Sequence, residues 1–243
     1  MLMLISTASC LFGQIADTSN PGTFKDSRDG HKYKWVKIGT QTWMAENLAF
    51  LPAVSLSNTD SESRKHYYVY GYEGTNIDDA KASANYSTYG VLYNWLAAMD
   101  GASSSTSVPS GVQGACPAGW HLPSDEEWKM LEKHLGMSNS EADSIGWRSS
   151  GTVSGKLKET GTSHWKSPNT GATNSSRFTA LSGGYRYYSG GFNELSLTAS
   201  FWSASESDAS CSWYRYLYYY HAGVHRYSYY KSYGFLVRCL KDE

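Results

Sequence analysis

A chain of 243 residues with nine Trp, 15% aromatic residues and 18% charged residues carries ample apolar mass for a packed core, which excludes a disordered polar chain. Lys and Arg number 21 against 22 Asp and Glu, a formal net charge of -1, so no overall field draws the chain to nucleic acid or to an anionic membrane. Partners have to be recognised by shape and local chemistry.

The opening residues, MLMLISTASCLFG, are apolar and small, and a polar stretch with Pro21 and Gly22 follows. Residues 1–24 are expected to be a signal peptide or lipoprotein leader with its linker, although basic residues are missing from the start. Cys10, after Thr7, Ala8 and Ser9, is the candidate site of lipidation, with simple cleavage nearby as the alternative. No apolar run approaches the roughly 20 residues that cross a bilayer, so a membrane is reached only through such a lipid anchor.

Between Asp26 and Phe50 the pattern alternates, with Asp29-Gly30 and Gly39-Thr40 where turns belong, and predicts a β-hairpin. Residues 52–90 are polar and turn-rich. Val91, Leu92, Trp95, Leu96 and Met99 fall at helical spacing and predict a short core helix, after which the Ser/Gly-rich residues 101–115 read as a surface loop. Ser124 stands three residues before Glu127, a capping box, and Trp128, Leu131 and Leu135 line one face up to Gly136, which predicts a helix over 125–135. The cap and the helix dipole account for Asp125, Glu126 and Glu127 without any acid–base role. Beyond the helix, ALSGGYR, FNELSLTASFWSAS, SWYRYLYYY and YGFLVRCL are β-rich runs between Gly/Ser turns. The expected class is α+β, two or three helices on small antiparallel sheets with long irregular loops, in one domain over residues 25–243.

With Cys10 set aside, Cys116, Cys211 and Cys239 give one pair and one leftover. Cys116 opens CPAGWHLP and Cys239 closes GFLVRC, so a bridge between them would tie the start of the main domain to its end and leave Cys211 free or paired with an outside partner. His31, His66, His121, His134 and His164 are scattered without metal-ligand spacing, and His221 and His225, four apart, sit in a Gly-interrupted β-rich stretch; neither a metal nor a cofactor is expected. His121 reads as a buried structural residue. Trp128, Trp147, Trp165 and Trp202 are assigned to the core, a sugar-stacking platform being the alternative. No nucleophile elbow, P-loop or dinucleotide fingerprint occurs.

The densest signal lies between Cys211 and Tyr233, CSWYRYLYYYHAGVHRYSYYKSY, where nine of the chain's 20 Tyr fall. Tyr favours strands, so a half-buried sheet face is one reading. Yet Tyr214, Tyr216 and Tyr218 alternate with Arg215 and Leu217 while Tyr218 to Tyr220 run consecutively, so some phenols face outward in either register. Exposed Tyr mixed with Ser and Gly is the composition of paratopes, large rigid contact area with a hydrogen-bonding tip. The segment 207–233 is therefore expected to form a recognition surface for a protein or glycan on another cell or phage host.

Seven pieces in order, WVKIGTQTWMAENL, YGVLYNW, CPAGWHLPSDEEW, GWRSSG, FTALSGGYR, FWSAS and GFLVRCLKD, resemble the Fibrobacter succinogenes major paralogous domain from about Asp26 to Glu243. The resemblance implies a C-type-lectin-like fold, related to that of formylglycine-generating enzymes. The calcium-binding triplets of the lectins are missing: Ser203 and Ala204 stand where an Asn-Asp pair would be wanted, and Glu206 and Asp208 are too few for the roughly six to eight oxygens calcium takes. A formylglycine-type enzyme would need Cys211 and Cys239 as a reactive pair, which a Cys116–Cys239 bridge forbids, so no enzymatic activity is expected.

In some members of this fold class the last stretch is the variable region of a diversity-generating retroelement, where randomised template adenines turn AAC codons into Tyr, Ser, His or Cys but never into Lys, Glu, Gln, Met or Trp. Ser210, Cys211, Tyr214, Tyr216, Tyr218, Tyr220, His221, His225, Tyr227, Tyr229, Tyr230, Ser232 and Tyr233 hold reachable types throughout and form the expected ligand-binding set. Trp213, Arg215, Leu217, Gly223, Arg226 and Lys231 then read as fixed scaffold. The resemblance thus implies a secreted or surface-displayed binding protein with a variable face; the alternative is a non-diversified structural or adhesive surface lipoprotein.

Overall fold

The structure, a computed structural model, describes residues 21–59 and 63–243. The expected leader, with Cys10, lies outside the described residues up to residue 20. Its supposed linker does not extend to residue 24, because β1 (Gly22–Lys25) pairs antiparallel with β2 (Lys32–Ile38) across the Asp29-Gly30 turn. β3 (Gln41–Met44) returns against β2 across Gly39, whose φ of 62° suits the tight reversal. The hairpin expected here is present, and β1 extends it.

A two-stranded ribbon of β4 (Tyr67–Tyr68) and β5 (Leu92–Tyr93) brackets two short helices, α1 (Ile77–Lys81) and α2 (Ala84–Tyr89). Asn76 and Ser83 cap them by accepting first-turn amides, the signal that makes a helix of one turn viable in a polar stretch. The core helix read from Val91 starts later. Leu92 is spent in the ribbon, and α3 (Trp95–Met99) begins only after Asn94, whose side chain accepts the Ala97 amide.

Following β6 (Trp120–His121), α4 (Asp125–His134) is the longest helix among the described residues at ten residues, with the capping box between Ser124 and Glu127 in place. The short α5 (Asn139–Ala142), β7 (Gly146–Arg148) and α6 (Val153–Leu157) lead to the strands of the second half: β8 (Gly183–Arg186), β9 (Phe192–Leu195), β10 (Thr198–Glu206), β11 (Cys211–Tyr218) and β12 (Val224–Tyr230). The final strand, β13 (Leu240–Lys241), returns to the first half of the chain.

Two main sheets result, one ordered β1-β2-β3-β13-β6 and one ordered β7-β12-β11-β10-β8-β9. Among the named strands pairing is antiparallel except for β8 against β10, where Gly184 and Ala199 meet in parallel. The fold is α+β, with small sheets and short helices. No helix among the described residues is long and apolar enough to cross a membrane.

Apolar residues gather in two clusters, one on each side of the second sheet. Trp128 of α4 meets Phe201, Leu217 and Val224 on one side; Trp202, Tyr214 and Phe235 join Tyr93 and Trp95 on the other. Trp128, Trp165 and Trp202 are buried as expected. Trp147 is a correction: it is 42% exposed, on β7, the edge strand of its sheet. Cys116 and Cys239 are bonded to each other, closing a loop with a sequence separation of 123, and Cys211 is free and half-exposed.

Candidate functional site

The β11–β12 hairpin is the physical core of the site. Its register sets Tyr214 against Tyr227, Tyr216 against His225 and Ser212 against Tyr229, with Arg215 against Arg226 and Trp213 against Ser228 in between. Directly opposed residues share a face and neighbours along a strand point oppositely. Tyr214, Tyr216, Tyr218, His225, Tyr227 and Tyr229 therefore lie on one face, and Trp213, Arg215, Leu217, Val224 and Arg226 on the other. The edge strand β7 adds Trp147 to the aromatic face, opposite His225.

The reverse face inverts the usual order, with charges inside. Arg215 and Arg226 are 1% and 6% exposed. Two like charges directly across a ladder repel, and α4 supplies the compensation. Asp125 accepts from Nη1 of Arg215 at 2.6 Å and from Nη2 of Arg226 at 2.6 Å. Glu132 accepts from Nε of Arg215 and from Nη2 of the buried Arg148, each at 2.6 Å. Burial alone would raise the Asp125 carboxyl, but the Arg215 and Arg226 guanidiniums outweigh it and hold it well below the usual carboxylate range. The cap thus does not exhaust the role of Asp125: Glu127 closes the capping box while Asp125 fastens two strands to the helix. Arg226 also lies flat on Trp213, 3.8 Å from the ring centroid.

The turn beyond β11 is pinned from below. Lys158, buried without an acidic partner, donates from Nζ to the carbonyls of Tyr218 at 3.1 Å, His221 at 3.1 Å and Thr170 at 3.0 Å, and burial pushes its ammonium down to about 8. His221 Nδ1 accepts the Gly223 amide at 2.9 Å, and its ring stacks on Trp147 with centroids 4.1 Å apart. His225 meets the same indole edge-on at 5.0 Å, so the two histidines flank Trp147. Burial first, then the positive charge of Arg148 and the neighbouring His221, hold His225 below its ordinary value.

Above this floor lies a cleft of about 570 Å³, walled by Trp147, Tyr216, His225, Tyr229 and Tyr230 on the hairpin side and by Tyr185, Tyr187, Tyr188 and Glu194 on the β8–β9 side. Ring contacts run from wall to wall: Tyr188 to Tyr230 at 5.6 Å, Tyr229 to Tyr233 at 4.8 Å, Tyr187 to Tyr233 at 5.3 Å. Such spacings are those of favourable edge and offset pairs.

The expected binding residues divide into three groups. Tyr216, Tyr218, His221, His225, Tyr227, Tyr229 and Tyr230 are brought together on or beside the cleft and reach solvent. Ser210, Cys211 and Tyr220 are accessible but sit at the ends of the hairpin, outside the cleft. Tyr214, Ser232 and Tyr233, read from the sequence as surface positions, are corrected to buried ones. Tyr214 stacks on Phe235 at 4.9 Å because β11 crosses the middle of the sheet at that point, and Tyr233 lies on the same Phe235 at 5.3 Å. Burial lifts the phenols of both above their ordinary range. Missed from the sequence were Trp147, Tyr185, Tyr187, Tyr188, Glu194 and Ser200. The run YRYYSGG carried a usable signal, three Tyr ahead of a Gly pair, the same composition as the hairpin.

His121 is buried, as expected, between Glu127 at 2.9 Å and Asp242 at 2.6 Å. Burial would lower its pKa, and the two carboxylates more than reverse that. Among the described residues no group of three or more His, Cys, Asp or Glu is arranged to hold a metal ion. Bridging to Cys116 leaves Cys239 without a thiol to pair with Cys211.

The sequence profile of the Fibrobacter succinogenes major domain matches residues 36–241, a span that takes in the hairpin, its backing and both walls of the cleft. No curated protein and no solved structure matches the chain.

Proposed function

From the premise that the chain belongs to the Fibrobacter succinogenes major domain family, we propose that it is a binding protein, secreted or displayed on a bacterial or phage-derived surface, that recognises a protein or glycan through the aromatic face of the β11–β12 hairpin. It works without a cofactor and is not an enzyme. A C-type-lectin-like fold, and retroelement-driven exchange of residues on this face, belong to the same reading.

One observation carries it. Positions 216, 218, 225, 227 and 229, all holding residue types that adenine randomisation can reach, fall on one face and reach solvent, while Trp213, Arg215, Leu217 and Arg226 fall on the other, where Arg215 and Arg226 are locked to α4. A side chain on the open face can change without disturbing the ion pairs behind it, which is what a surface that must vary while its scaffold stays fixed requires. Exposed aromatic anchors on a stiff backing are the elements that dominate binding free energy at interfaces.

The test uses the purified domain, fluorescently labelled, on glycan arrays and on intact cells of organisms sharing its habitat. A triple variant, Tyr218→Ala, Tyr227→Ala and Tyr229→Ala, is expected to lose binding by roughly 30-fold or more while keeping its melting temperature within a few degrees. Equal binding by the variant and the parent would remove the hairpin from the recognition surface. Diversification has its own check: a near-copy of the DNA encoding residues 207–240, differing opposite adenines and lying beside a reverse transcriptase gene.

A further inference from the structure

Resting on the binding role just proposed, we infer that the cleft takes a cationic side chain, the guanidinium of an arginine displayed by a protein partner, and that Glu194 determines this preference.

Charge is the first observation. Among the residues lining the cleft, no Lys or Arg occurs, and Glu194 is the one acid. A carboxylate alone on a surface is ordinary; here it is surrounded by aromatic rings whose faces carry negative quadrupole density. Tyr216 donates its hydroxyl to Oε2 of Glu194 at 3.3 Å, which ties the carboxylate to the hairpin across the cleft. The charge reaches further phenols: burial and then Glu194 push Tyr185 up to about 12.

Unmet hydrogen bonding is the second. Ser200 is 1% exposed, lines the cleft, and its Oγ has no partner; Nδ1 of His225, which lines the same cleft on the other side of Tyr216, has none either. Buried polar atoms without partners are uncommon and costly, and a ligand that donates hydrogen bonds would satisfy both. A guanidinium has five N–H donors and no acceptor.

Shape is the third. Trp147 stands at the rim with its indole exposed, beside Tyr216 at 5.8 Å and Tyr218 at 6.5 Å. A planar guanidinium stacks on such rings and forms a two-pronged, charge-assisted contact with a carboxylate. Glu194 itself has φ of 59°, a left-handed conformation unfavourable for a residue with a Cβ.

The experiment follows the indole N–H of Trp147 by two-dimensional 1H–15N NMR, assigned with Trp147→Phe, during titration with Nα-acetyl-arginine methylamide, its neutral near-isostere Nα-acetyl-citrulline methylamide, and a panel of monosaccharides. The arginine probe is expected to shift the resonance and to bind roughly tenfold more tightly than the citrulline probe, the step that about 1.4 kcal/mol of cation-specific interaction represents. Glu194→Gln should erase that difference while leaving the spectrum otherwise unchanged. Equal binding of the two probes, an unaltered preference in Glu194→Gln, or no shift with any probe would overturn the inference. A shift produced by monosaccharides and not by arginine would also overturn it, yet would leave the aromatic face standing as a recognition surface; loss of both that shift and the cell or array binding would take down the wider reading as well.

Discussion

Tyr214 and Tyr227 are directly opposed across the hairpin, on the same face, yet 3% and 46% exposed. Truncating each to Ala therefore separates packing from recognition within a single cross-strand pair. A Tyr side chain buries on the order of 150–200 Å², which at ~25 cal/mol per Å² is about 4 kcal/mol, inside the ~3–5 kcal/mol range for removing a large aromatic from a core. Tyr214 meets those terms: it stacks on Phe235 at 4.9 Å and takes the edge of Tyr229 at 5.3 Å. For a domain of this size each kcal/mol lowers the melting temperature by about 2–4 °C, so Tyr214→Ala should melt roughly 8–16 °C below the parent. Tyr227→Ala, half in water already, should cost less than about 1 kcal/mol and move the midpoint by no more than about 4 °C. Calorimetry and urea unfolding with the disulfide intact measure both. A loss below ~1 kcal/mol for Tyr214→Ala, or equal losses for the two variants, would refute the division of the hairpin into floor and open surface.

Two further outcomes test what lies behind and around that surface. Asp125→Asn leaves Arg215 and Arg226 facing each other without a shared anion and should cost about 3–5 kcal/mol. Because the folded-state pKa of Asp125 is depressed, its contribution is present above the unfolded carboxylate value near ~3.9 and is lost as pH falls through the lower folded value, so the parent should lose stability between about pH 4 and pH 2 more steeply than Asp125→Asn, as followed by urea midpoints. Reducing the Cys116–Cys239 bond, or replacing both residues with Ser, frees a loop with a sequence separation of 123, for which the chain-entropy relation gives about 5 kcal/mol; an unchanged midpoint after verified reduction would show that the loop is already constrained without the bond.

What the sequence made legible was local. The turns at Gly30 and Gly39 and the capping box at Ser124 each depend on residues within a few positions of one another, and each is in place. Alternation in YRYLY showed that β11 has two unlike faces, but not that the arginines take the inside. That required knowing that Asp125 and Glu132, more than 80 residues away in sequence, would sit beneath Arg215. Trp147 was misassigned for a related reason: a tryptophan on an edge strand has the same composition signal as one in a central strand, and position within the sheet order is a tertiary property. The second wall of the cleft escaped notice because Tyr185, Tyr187, Tyr188 and Glu194 approach the hairpin only through the β8–β9 pair, which joins β10 rather than β11.

The placement of β13 has a consequence for how the molecule comes into being. Residues 240–241 occupy an interior position of the first sheet, between β3 and β6, so that sheet stays open in the middle until residues 240–241 have been synthesised. A fragment that stops short of residue 240 lacks the strand that joins β3 to β6, and the tyrosine-bearing hairpin is already made before the first sheet can close. Assembly dominated by contacts so distant along the chain is intrinsically slow, and throughout that interval a row of sticky aromatic rings is in the open, a hazard that grows with whatever residues the hairpin happens to carry.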